Sequence, residues 1–211
     1  MKIEDANLFF CCPVPVPEAF TDLPEGYQIR NCRKEELWDW MDLPFDTPEE
    51  ANQYRGYMED FFAKVYAPHG NLFFKQCRLL LEPDGRIAGS CFIWKAYEKV
   101  TTVHWFKIRK DLEGHGLGRA LLSAVLREVQ PEDYPICLHT QPGSFRAIKL
   151  YIDFGFYMAE DPVIGQRINQ WKEALPYLRE MMPKPVFDSI RIGKAPEVLL
   201  RAAAQSVINE F

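Results

Sequence analysis

Along this chain the spacing of apolar residues changes period several times, and each change marks a predicted element. Gly26 to Arg33 (GYQIRNCR) alternates as a half-buried strand does, and from Lys34 to Met41 the spacing turns helical, with Leu37, Trp38 and Trp40. Thr47-Pro48-Glu49-Glu50 combines a hydroxyl cap, a first-turn proline and a glutamate at the third position, which predicts a helix running on to Tyr66. Cys77 to Leu81 and Arg86 to Tyr97 flank the turn signal Pro83-Asp84-Gly85 and read as a hairpin, and Val100 to Ile108 adds a third strand. Leu117 to Val129 repeats apolar residues at 117, 121, 125 and 129, with the small Ala120 and Ala124 beside them, until Pro131 stops the helix. Ile136 to Thr140 is then a short strand, Phe145 to Phe154 a helix and Phe156 to Glu160 a strand. Gln170 to Glu180 and Glu197 to Val207 read as later helices, separated by Pro183 and Pro185.

The order β-α-α-β-β-β-α-β-α-β predicts an α+β fold, a mixed and mostly antiparallel sheet flanked by helices. At 211 residues with 47% hydrophobic content, one well-buried core is expected, with extensions. The expected boundaries are an N-terminal extension over 1–25, a domain over 26–160, and a C-terminal helical extension over 161–211 packed on that domain.

A net charge of -5 argues against non-specific nucleic-acid binding, for which a basic stripe would be expected. The six cysteines, at 11, 12, 32, 77, 91 and 137, contain no C-x-x-C pair and no metal-ligand spacing, so reduced core thiols and no metal are expected. Acidic Glu4 and Asp5 and the prolines interrupting LFFCCPVPVP argue against a signal peptide, and no run approaches the roughly 18 apolar residues of a membrane span. A cytoplasmic protein with no membrane partner is the expectation.

The chemistry concentrates after Val100 to Ile108, where Gly114, Gly116 and Gly118 lead into the helix beginning near Leu117. Glycines let backbone N–H groups crowd round an anion, and a helix N-terminus adds its own unpaired donors and positive dipole end. A dinucleotide fingerprint would require glycine where Arg119 stands, and a P-loop would require a lysine and hydroxyl that are missing here. The remaining pattern, G-x-G at 116 and 118 after a strand, resembles the coenzyme A pyrophosphate loop of the Gcn5-related N-acetyltransferase (GNAT) family, Arg/Gln-x-x-Gly-x-Gly/Ala. Glu113 departs from that pattern's first position. Ser144-Phe-Arg-Ala147-Ile-Lys-Leu-Tyr151-Ile-Asp-Phe-Gly155-Phe156 is similar to the family's later motif, Asn-x-x-Ala-x-x-Leu-Tyr-x-x-x-Gly-Phe, with Ser144 in place of asparagine.

The resemblance implies an acyl-CoA-dependent N-acetyltransferase that moves acetyl from acetyl-CoA, its co-substrate, to a small-molecule or peptide amine by direct attack on the thioester. It implies that Glu113, Gly114, His115, Gly116, Leu117, Gly118 and Arg119 form the phosphate cradle. Phe106, Lys107 and Ile108 would offer backbone to the pantetheine arm, with Ser144 and Ala147 from the later motif completing the donor site. Tyr151 falls where the family has the tyrosine that serves the coenzyme sulfur as general acid. His104, with an ordinary imidazole near 6.5, is the candidate base, and a satisfied strand histidine is the alternative. Thr102 stands where some members carry a glutamate base and cannot act as one. In the family the first two helices build the acceptor pocket, which here spans Trp38 to Tyr66 and its many aromatics. Two further readings stay open: a non-catalytic acyl-CoA-binding or sensor protein of the same fold, and C-terminal helices serving mainly a homodimer or partner interface.

Overall fold

The computed structural model describes residues 2–211. In chain order the strands and helices are β1 (Leu8–Cys12), β2 (Gln28–Asn31), α1 (Leu37–Asp42), α2 (Pro48–Phe61), α3 (Leu72–Gln76), β3 (Arg78–Leu81), β4 (Ile87–Ala96) and β5 (Val100–Ile108). They continue with α4 (Leu117–Arg127), β6 (Ile136–Thr140), α5 (Phe145–Asp153), β7 (Tyr157–Ala159), β8 (Val163–Ile164), β9 (Arg167–Ile168), α6 (Trp171–Met181), α7 (Lys184–Asp188), β10 (Ile192–Gly193) and α8 (Glu197–Gln205). Pairing is mostly antiparallel, as expected, with β5–β6 and β7–β10 parallel. The chain forms two compact units, and both long strands β4 and β5 contribute one part to each.

One unit holds residues 2–20, 94–103 and 129–211. Within it the strands run in the order β10-β7-β1-β6, with the first half of β5 beside β6. β1 is an addition to the element order read from sequence. All five of its residues, LFFCC, are buried, and it lies between β6 and β7 with Phe10 opposite Leu138 and Met158. A strand covered on both faces shows a continuous apolar run in place of alternation, and Pro13 and Pro15 just beyond it made the segment read as an irregular extension. The two-residue strands β8, β9 and β10 and the five-residue α7 are likewise too short to carry a period. Residues 161–211 therefore supply strands as well as the helices α6 and α8.

The other unit holds residues 21–93 and 104–128, with strand order β2-β3-β4-β5. The start of α2 forms as its sequence predicts: the Thr47 hydroxyl accepts from the Glu50 N–H at 3.2 Å, and the Glu50 carboxylate accepts from the Asp46 N–H at 3.1 Å. The predicted helix to Tyr66 is α2 continued by one turn of π-helix over Phe62–Tyr66. Trp40 is fully buried at the centre of this core, its ring 4.7 Å from Phe73, 5.7 Å from Trp105 and 6.0 Å from Tyr66. Trp38, Tyr54 and Tyr57 remain exposed.

Candidate active site

The predicted residues fall into two groups. His104, Phe106, Lys107, Ile108 and the run Glu113 to Arg119 belong to the unit containing α4, whereas Ser144, Ala147 and Tyr151 lie on α5 and just before it in the other unit.

After β5 a short turn over Lys110–Leu112 brings the chain to Gly114 at φ +84° and Gly116 at φ +79°. Both angles lie in the left-handed region that a side chain makes costly. A Cβ built at either position would meet nothing within 4 Å, so the glycines satisfy a dihedral need and leave the space above them open. Gly116 is the N-cap of α4 and supplies no side-chain cap. Leu117, 1% exposed, anchors the first turn in the core, which leaves the helix end facing the open space. His115 is exposed, its Nδ1 3.2 Å from the Leu112 carbonyl. Glu113 is half-buried, and its backbone N–H donates to the Lys110 carbonyl at 3.3 Å. The pieces fit a pyrophosphate held by backbone: open volume, left-handed glycines and an uncapped eleven-residue helix.

β5 is not regular on its approach to this turn. Trp105 has φ +47°, a conformation that costs a bulky residue of order 1–3 kcal/mol. The surrounding unit holds it there. Its carbonyl accepts from the Ser90 hydroxyl at 2.8 Å, its indole N–H donates to the Tyr66 hydroxyl oxygen at 2.9 Å, and Phe61 packs edge-on at 5.4 Å. The two-residue period that puts His104 on the face of Ile108 is thus interrupted between them.

His104 is 3% exposed, with Nδ1 2.6 Å from the Tyr66 hydroxyl oxygen and its ring against Phe92. Neither Tyr66 nor Trp105 was singled out by sequence as a partner of His104; a left-handed tryptophan inside a strand has no sequence signal. Lys107 gives its side chain to Asp46 at 2.7 Å, and Lys110 reaches the same carboxylate at 2.9 Å. The hydrogen bond from Lys107, opposed by partial burial and reinforced by Lys110, holds Asp46 below the usual carboxylate range. Ile108 is buried and Phe106 half-buried. Arg119 and Gly118 are half-buried in the first turn of α4.

In the other unit Tyr151 is 4% exposed, its ring 6.3 Å from Phe10 and 5.7 Å from Phe156. Ser144 precedes α5, is exposed, and makes no side-chain cap; Ala147 is half-buried one turn on. Thr102 is fully buried, and its hydroxyl donates to the Trp94 carbonyl at 3.0 Å, a bond internal to the sheet. His139 is 2.9 Å from the Asn7 side-chain oxygen and packs on Phe9; loss of solvent, with the Arg167 charge, pushes it down to about 3. It is a neutral packing residue.

Among the described residues, no group of three His, Cys, Asp or Glu side chains is placed to hold a metal ion, and no helix is long and apolar enough to cross a membrane.

The model of the acetyltransferase (GNAT) family matches residues 34–156, more than half of the chain. Among solved structures, a GCN5-related N-acetyltransferase from Sphaerobacter thermophilus is 18% identical, covering 72% of this chain and 48% of its own, with a TM-score of 0.50. A tandem GNAT protein from the clavulanic acid biosynthesis pathway is 15% identical, covering 74% of this chain and 50% of its own, with a TM-score of 0.51. An acetyltransferase of the GNAT family from Colwellia psychrerythraea is 10% identical, covering 75% and 55%, with a TM-score of 0.50. At these identities the likeness is one of fold. The chain spans about half the length of these structures. No curated protein matches the sequence.

Proposed function

The chain belongs to the acetyltransferase (GNAT) family, and from that premise we propose that it transfers an acetyl group from acetyl-CoA to a primary amine of a small molecule or peptide. The observation that carries this reading is the turn after β5. Two left-handed glycines and an uncapped helix end present backbone N–H groups to open space.

In this proposal residues 113–119 hold the pyrophosphate through backbone, so the departure at Glu113 leaves the cradle intact. Phe106, Lys107 and Ile108 offer backbone to the pantetheine arm in the manner of an added strand. This division suits Lys107, whose side chain is already engaged by Asp46. Ser144 and Ala147 complete the donor site from the start of α5.

The amine nitrogen forms its bond to the thioester carbonyl carbon and gives up one of its protons as the carbon–sulfur bond breaks, and the leaving thiolate takes up one proton, so the exchange is neutral overall. The Tyr151 hydroxyl is assigned to that sulfur. A phenol near 10 giving its proton to a thiolate of a thiol near 8.5 is uphill, so the main contribution is a hydrogen bond to the developing negative charge. His104 is the second polar group of the reaction. A cytoplasmic location belongs to the same proposal, supported by six buried cysteines that form no disulfide.

Calorimetric titration of the full chain with acetyl-CoA and with 3′-dephospho and thiol-free analogues, followed by thiol release over a panel of amines, tests the reading. Binding plus release with at least one amine is expected. Binding without release for every amine would leave an acyl-CoA sensor, and no binding by any analogue would overturn the proposal.

A further inference from the structure

Asp46 stands in the loop between α1 and α2, and each of its carboxylate oxygens meets a different lysine of the chain that leads from β5 into the cradle. Oδ1 accepts from Lys107 at 2.7 Å and Oδ2 from Lys110 at 2.9 Å. Lys107 lies between Phe106 and Ile108, and Lys110 opens the turn whose Glu113 N–H returns to its carbonyl at 3.3 Å. One carboxylate therefore spans two backbone segments that the proposed donor site uses.

Exposed ion pairs usually contribute little, because two long side chains must be ordered in water. This group differs in how its acid is held. The Asp46 N–H donates to the Glu50 carboxylate at 3.1 Å, Phe45 stacks on Tyr54 at 5.2 Å with 3° between the ring planes, and Asp42 at the end of α1 pairs with Arg55 of α2 at 3.2 Å. The loop is ordered by these contacts before either lysine reaches it, and the Lys107 side chain is 23% exposed, so less freedom is lost and water screens the pair less. Arg109, between the two lysines, is bound to β4: its N–H donates to the Ala88 carbonyl at 2.8 Å and its guanidinium to the Ile87 carbonyl at 3.0 Å. β4 and the α1–α2 loop together leave the end of β5 little freedom.

We propose that Asp46 is a positioning residue for the acyl donor: its clamp on Lys107 and Lys110 fixes residues 106–108 relative to the turn before α4, so that acetyl-CoA meets a backbone arranged in advance. The inference rests on the donor site of the proposed function. Its consequence is opposite to that of charge alone. Asp46 is an anion bonded to the chain that is to hold another anion, so simple attraction would have its neutralisation free two ammonium groups and tighten binding. A clamp has the same change weaken binding, because the backbone must then be ordered by the ligand.

Calorimetry on the full chain separates the two. Asp46→Asn should raise the Kd for acetyl-CoA about tenfold, and Asp46→Glu, which keeps a carboxylate, should recover most of that loss. In the thiol-release assay the change should appear in the KM for acetyl-CoA, with kcat at saturation lowered less than about threefold. Hydrogen exchange of the chain alone reads the clamp without any ligand. The Arg109, Leu112 and Glu113 amides, bonded at 2.8, 2.9 and 3.3 Å, should exchange about tenfold faster in Asp46→Asn. If that variant does not fold, Lys110→Met, at a side chain 71% exposed, opens half of the clamp and should speed the Leu112 and Glu113 amides. Unchanged or tighter binding by Asp46→Asn, glutamate no better than asparagine, or exchange unchanged in every folded variant would overturn the proposal. A wild type that binds no acetyl-CoA would count against the proposed donor site, and the exchange rates would still decide whether Asp46 orders the turn.

Discussion

Trp40 tests how much of the α4-containing unit depends on one side chain. It is fully buried, and five rings surround it at centroid distances of 4.7 Å (Phe73), 5.7 Å (Trp105), 6.0 Å (Tyr66), 6.3 Å (Phe92) and 6.5 Å (Phe62). Truncating a buried aromatic to alanine costs about 3–5 kcal/mol, and the neighbours here are themselves pinned, so the cavity cannot collapse and the upper end, about 4–5 kcal/mol, is expected. Trp40→Phe is a different perturbation. It removes about 60 Å² of buried apolar surface, a loss of about 1.5 kcal/mol. It also removes the Trp40 indole N–H, which is buried without a hydrogen-bond partner among the described residues and costs about 1–3 kcal/mol where it stands. The two effects offset, so Trp40→Phe should fall within about 1 kcal/mol of the wild type. Urea unfolding followed by circular dichroism measures both variants. Trp40→Ala within about 1 kcal/mol of wild type, or Trp40→Phe as damaging as alanine, would refute the assignment of Trp40 as the organising ring of this core.

Three further outcomes are expected. A Cβ at Gly89 would lie 2.5 Å from the Lys107 carbonyl oxygen and 2.7 Å from Ile108 Cδ1, so Gly89→Ala should push β4 from the end of β5, cost about 1–3 kcal/mol and weaken acetyl-CoA binding; unfolding midpoints and calorimetry read the two effects. Tyr151→Phe keeps the packing on Phe10 and Phe156 and should lower kcat by about 100-fold or more, with the calorimetric Kd for acetyl-CoA within about threefold. His139 is held down to about 3 in the folded chain, so between about pH 6.5 and that value the unfolded chain binds a proton that the folded one does not. Its contribution should therefore be complete above about pH 6.5 and decline as pH falls, and His139→Gln should flatten the urea midpoint against pH over that window.

Much of the fold was legible in order along the chain because it is local. Val100 to Ile108 and Ile136 to Thr140 form strands over the residues whose period announced them, and the Thr47 cap and the Gly85 turn were read from contiguous residues. The turn before α4 is of the same kind: its glycines, their left-handed angles and the helix they start occupy one short segment, so spacing alone specified it.

What the sequence could not give depends on residues far apart. β1 was unreadable as a central strand because burial of both faces erases alternation, and only its pairing with β6 and β7 reveals its place. The sign of φ at Trp105 is set against its intrinsic preference by Ser90, Tyr66 and Phe61, none adjacent in sequence. The contact between Tyr66 and His104 crosses 38 residues. Sequence by itself determined the glycine turn that starts α4 and the family, since both reside in short-range patterns of glycine and apolar spacing. Tertiary structure alone decided which nitrogen of His104 meets Tyr66, because only packing brings the two rings together.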